Sequence, residues 1–162
     1  MKWITRQRPK TDRIACPWLI RRFIDPDAEI IYVPADQVLA VATETGGHSF
    51  DAPGAEFTHQ VTSTGDEQCT FETLIDAYQL TGNPALVRLA KIVHAADVST
   101  DVNTDASGFG LLAIGIGGLD VEPDDHRLLD RATFVYDALY AWCERQAREQ
   151  PAVGSRRHAP GV

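Results

Sequence analysis

Helical patterns run almost without a break from Thr70 onward, whereas strand patterns are confined to the segment before it. A chain divided this way cannot build a large sheet, only a small one laid against helices. "KWITR" and "EIIYVP" are β-branched and aromatic, are bounded by turn residues, and read as short strands. "TGGHSFDAPG" reads as a turn with a further short strand, after a helix that starts at Ala35-Asp36 and runs to about Glu44. The expected fold is α+β, mostly α: a small two- or three-stranded N-terminal sheet packed on a helical C-terminal half.

Between the first two strands lies "DRIACPWLIRRF". Its apolar residues Cys16, Leu19, Ile20 and Phe23 follow the helical period, and Asp25-Pro26 ends the element, because the residue before proline avoids the α region. Pro17 lacks an N–H and suits a first turn, which would place Cys16 at or near the N-cap. A thiol there, close to Arg13, would be acidified. The alternative, which we adopt, is an inert cysteine buried in the apolar stripe.

The later elements are helices. "TFETLIDAYQL" carries Thr70 as N-cap, with Thr73 where a capping box prefers Glu or Gln. "NPALVRLAKIVHAAD" opens with Asn83 as N-cap and Pro84 at the first helical position. "SGFGLLAIGIGGL" reads as a buried helix thinned by glycines, and "EPDDHRLLDRATFVYDALYAWCERQAR" as the longest helix. Phe134, Tyr136, Leu139, Tyr140, Trp142 and Cys143 make the last helix core or homodimer material. Residues 1–150 read as one domain and 151–162 as a disordered tail by composition.

The 15 basic and 23 acidic residues give a net charge of -8, which repels phosphate backbones and anionic membranes. Direct nucleic-acid and membrane partners are therefore not expected. Three widely spaced cysteines make no disulfide framework, and the N-terminus has no signal-peptide pattern, so a reducing cytoplasm is expected. No GxSxG elbow and no GxGxxG stretch is present.

Two constellations carry potential chemistry. Arg13, Arg21 and Arg22, with Arg6, Arg8 and Lys10 upstream, form a basic exception in an acidic chain, and guanidinium groups match the oxygens of a small oxyanion. The second is "EFTHQ" with "HAAD". His94 and Asp97 are three apart on a helix and share a face beside the apolar stripe of Leu89, Val93 and Ala96. Two histidines and one or two carboxylates suit Fe, Mn or Zn. His59, His94 and Asp97 are the first-choice ligands, with Glu56 and His126 as second choices; Cys69 is a possible soft ligand.

Several stretches together, "KWITRQRPKTDRIACPWLIRRFIDPDAEIIYVP", "CTFETL", "LAKIVHAAD" and "DDHRLLDRATFVYDALYAWC", resemble the chromate-resistance family, specifically the C-terminal domain of ChrB. The resemblance covers about residues 2 to 145. It implies a sensing or chemical domain, without a DNA-contacting part, that acts in chromate sensing or detoxification beside an efflux pump. It places Arg13, Arg21 and Arg22 on the family's arginine-bearing helix, and His59, His94 with Asp97, and His126 in its histidine-bearing segments. The stretch "QVTSTGDEQC" after His59 is longer than the family's usual connection from histidine to cysteine. The resemblance favours a transition metal, Fe or Mn before Zn, and a chromate-like oxyanion at the arginines. Whether the protein is an enzyme stays open: the other readings are a redox metalloenzyme that removes superoxide or reduces an oxyanion, and a non-catalytic partner-binding module.

Overall fold

The computed structural model describes residues 1–98 and 106–149. The segment 151–162, expected as a disordered tail, lies outside the described residues. The fold is mostly helical, with the small N-terminal sheet the patterns call for. Strands β1 (Lys2–Arg6), β2 (Glu29–Val33) and β3 (His48–Ser49) form a parallel sheet in the order β2-β1-β3. Trp3 stands opposite Ile30 on one side and His48 on the other. Parallel neighbours require crossovers; helices α1 (Asp12–Leu19) and α2 (Val38–Thr45) supply them. A two-stranded hairpin, β4 (Gln60–Val61) and β5 (Glu67–Gln68), follows, built from the residues after His59.

The rest is helical: α3 (Thr70–Ala77), α4 (Pro84–Asp97), α5 (Ala106–Val121) and α6 (Asp125–Glu149). The period-2 rule divides β1 between two cores. Trp3 joins the main core with Cys16, Leu19, Phe71, Leu89 and Leu129, while Ile4 joins a smaller one with Val38, Ala42, Ala52 and Ala55. Helix α1 packs against α3, α4 and α6 within the main core.

Helix α1 begins earlier than Pro17 suggests. It starts at Asp12, so Pro17 sits inside it and Cys16 is a fully buried helical residue, not an N-cap. An interior proline leaves the carbonyl four residues earlier without its donor. Here that carbonyl belongs to Arg13, and the Tyr32 hydroxyl donates to it at 2.9 Å. A tertiary contact from β2 thus replaces the missing helical bond. Burial raises the Cys16 thiol well above its ordinary pKa, so it remains a neutral apolar group. The helix ends in a wider π turn, Ile20–Ile24, closed by the Asp25 N–H donating to the Ile20 carbonyl at 2.7 Å.

Three further readings shift. The N-cap of α3 is Cys69, one residue before Thr70, and Glu72 completes the capping box by accepting the Cys69 N–H at 3.0 Å. Asn83 caps α4 as read, accepting the N–H groups of Ala85 and Leu86. Helix α5 is not wholly buried: Leu111 faces the core, but Ile114, Ile116 and Val121 are exposed. A Cβ at Gly115 would lie 2.6 Å from the Lys10 carbonyl oxygen, so glycine there permits the close approach of α5 to the loop before α1. On α6, Tyr136, Tyr140 and Cys143 are buried at helical spacing, whereas Phe134 and Trp142 point outward.

Candidate metal centre

Asp12 is the first residue of α1, yet its side chain serves another helix. Its Oδ2 accepts the N–H of Thr70, the first residue of α3, at 2.8 Å. An N-terminal amide is a natural seat for a carboxylate, since it lacks an intrahelical partner. The Thr70 hydroxyl donates to Asp51 Oδ1 at 3.2 Å, and Asp51 Oδ2 takes Arg6 at 3.0 Å and Arg13 at 3.2 Å. The start of α3 therefore gathers two buried aspartates, and Asp51 alone is balanced by arginines.

His59, in the loop before β4, approaches from the hairpin side. Its Nε2 lies 2.9 Å from Asp97 Oδ2, 3.7 Å from Asp12 Oδ2 and 3.9 Å from Asp51 Oδ1; its Nδ1 lies 3.5 Å from Glu67 Oε1 on β5. Asp97 comes from the last residue of α4. Asp12, His59 and Asp97 each offer one donor atom within 4.8 Å of the others, an arrangement that could hold a cation. His59 is 34% exposed and Asp12 only 1% at the side chain, so the group is dry on one side and open on the other.

The electrostatics favour a cation over an anion. Four carboxylates surround one imidazole, and a further anion would be repelled by Asp12, Asp97 and Glu67. Asp12 and then Asp97 raise the His59 pKa to about 11. Asp97 is nearer, but Asp12 acts through a drier medium where a charge counts for more. Burial in turn pushes Asp12 up to about 7 despite its contact with His59. Asp12 Oδ1 is buried without any hydrogen-bond partner, an expensive state for a carboxylate oxygen.

The expected site residues distribute unevenly. His59 and Asp97 come together as the ligand reading requires, and Asp12 joins them. His94 lies in a neighbouring group, its Nδ1 2.7 Å from Glu72 Oε2, with Cys69 beside both. Glu56 pairs with His48 at 2.7 Å, and the His126 ring packs edge-on to Tyr32; neither belongs to a potential metal group among the described residues. Arg13 is committed to Asp51 and to the Arg8 carbonyl. Arg21 makes a loose 3.7 Å pair with exposed Asp130 and shares a cavity of about 150 Å³ with Arg22, Trp18, Thr133 and Asp137. The three arginines thus do not converge on one pocket.

Asp12, Asp51, Glu67 and Glu72 were not singled out from the sequence. Asp12 stands in the "TDRIACP" stretch beside the cysteine that drew attention, and Glu72 had capping-box spacing from Cys69. Asp51 had no local signal, because its arginine partners are 38 and 45 residues away.

Residues 3–143 match the family described as ChrB, C-terminal domain. Protein ChrB of Cupriavidus metallidurans is 39% identical over 139 residues, which is 86% of this chain and 40% of that protein. The chain therefore spans less than half the length of this curated relative. No solved structure matches. Among the described residues, no helix is long and apolar enough to cross a membrane.

Proposed function

The chain belongs to the ChrB C-terminal-domain family, and from that premise we propose that it is a metal-binding module of chromate resistance, with its cation among Asp12, His59 and Asp97. The observation that carries this reading is the buried, unpartnered Oδ1 of Asp12 in a carboxylate group that already faces His59 and Asp97. A divalent cation would replace the proton now clamped on His59 and offset the surplus negative charge. Two carboxylates and one imidazole form a hard donor set, better suited to Mn or Fe than to Zn. Three protein ligands also leave coordination positions for water or a small oxygen species.

The chromate-like oxyanion belongs to the same proposal at a different place. Arg21 and Arg22 line one cavity, and of the three expected arginines they are the two accessible to a solute; Arg13 acts as the counter-ion of Asp51. Asp130 and Asp137 beside them weaken the field, so anion affinity there is expected to be low and salt-sensitive.

Elemental analysis of protein purified without chelator, followed by Mn(II), Fe(II) and Zn(II) titration, tests the metal reading. The expected result is one equivalent of Mn(II) bound by the native chain, lost in His59→Ala and Asp97→Asn while the circular dichroism stays native. Full Mn(II) content in His59→Ala would remove the assignment. Assays of the loaded protein with superoxide and with chromate then separate a metalloenzyme from a sensor, and Arg21→Ala with Arg22→Ala reports on the anion site.

A further inference from the structure

We propose a second cation site, distinct from the first and chosen for a softer metal, formed by Cys69, Glu72 and His94. The three side chains come from the start of α3 and the last turn of α4, and each offers one donor atom within 4.8 Å of the others. Cys69 is fully buried, whereas Glu72 and His94 are each about four-fifths buried, which leaves an entry from solvent.

Helix capping accounts for only part of the group. The capping box uses the Cys69 sulfur, which takes the Glu72 N–H, and the Glu72 carboxylate, whose Oε2 accepts the Cys69 N–H at 3.0 Å. Serine, threonine, aspartate and asparagine serve best at an N-cap, and a sulfur atom there is a weak acceptor. Capping gives the sulfur only a weak acceptor's role and does not explain the imidazole placed 2.7 Å from Glu72 by a different helix. Sulfur, nitrogen and oxygen donors together are a ligand set for Zn(II) or a similar borderline cation, with a fourth position open to water. The Cys69 N–H bond to Glu72 would orient that ligand from outside the coordination sphere. On binding, the Cys69 thiol proton passes to solvent and a sulfur–metal bond forms, with no change of oxidation state.

The first site offers only oxygen and nitrogen, so the two sites separate by metal preference, and this proposal stands without the first. The test is titration of the purified chain with Co(II) alone, which reports thiolate ligation as a near-ultraviolet charge-transfer band. The native protein should develop that band; His59→Ala should keep it, and Cys69→Ser should lose it. His94→Ala, at a partly exposed position that spares the buried core, should weaken Co(II) at the banded site by about tenfold or more, since even loss of a group outside the coordination sphere costs about that much. Absence of the band in native protein at saturating Co(II), its survival in Cys69→Ser, or unchanged Co(II) affinity in His94→Ala would overturn the proposal. If His59→Ala abolished the band together with all Co(II) binding, there would be one site, not two.

Discussion

The two ends of α1 carry similar charges and lead different lives. At its start, Arg13 is 14% exposed and bound to an Asp51 that is 7% exposed, with Arg6 on the same carboxylate. In its final turn, Arg21 faces a 73% exposed Asp130 at 3.7 Å, and Arg22 is solvated. The difference is the medium, not the residue type. A buried pair costs several kcal/mol to break because the remaining charge is stranded, whereas water screens an exposed one. The candidate metal centre lies at the buried end because only there do the carboxylates lack water to satisfy them.

The largest expected effect comes from removing the buried anchor. Asp51→Ala strands Arg6 and Arg13, and urea denaturation should show a loss of about 3–5 kcal/mol. A loss below about 1 kcal/mol, the range of exposed pairs, would erase the distinction between the two ends. Tyr32→Phe comes next: it orphans the Arg13 carbonyl above Pro17, at about 1–3 kcal/mol in the same assay. An unchanged midpoint would show that water reaches that carbonyl and that the buried end is wetter than described.

A pH series sharpens the comparison without touching the helix. His59 has a folded pKa near 11, above its ordinary 6.5, so its contribution is whole below pH 6.5 and is lost as pH rises toward 11. Asp12, raised to about 7 from 3.8, has the same sign between those values. The stability of metal-free protein should therefore fall from neutral to alkaline pH, and His59→Gln should flatten that slope. Added Mn(II) should stabilise more as pH rises, because metal and proton compete for the same imidazole. Equal slopes in the two proteins would mean that His59 is not clamped by the aspartates. The smallest effect belongs to the exposed end: Arg21→Ala should shift stability by less than about 1 kcal/mol, and added salt should shrink that shift further.

Much of the fold could be read along the chain because it depends on neighbours in sequence. The period-2 strands, the Asn83-Pro84 start of α4 and the division between sheet and helices follow from local rules. Local rules also failed in instructive places. Pro17 would start a helix in isolation, but Tyr32, 19 residues from Arg13, supplies the bond that lets it sit inside one. The glycines of α5 promised close packing, which Gly115 delivers, but pattern alone could not tell which face stays open.

The site divides in the same way. The i, i+3 spacing of His94 and Asp97 set both near the end of α4, and the sequence by itself determined only that these residues and His59 are of types that can ligate metals. Only the tertiary structure decided the company each one keeps. Asp97 meets His59 and Asp12, while His94 meets Glu72 and Cys69, because α1 and the hairpin close over one side of the α3 N-terminus and α4 alone borders the other. Spacing settles which face a side chain occupies. Which partner it finds across 22 or 58 residues of chain depends on how the buried surfaces of separate elements fit, and that is a property of the packed core.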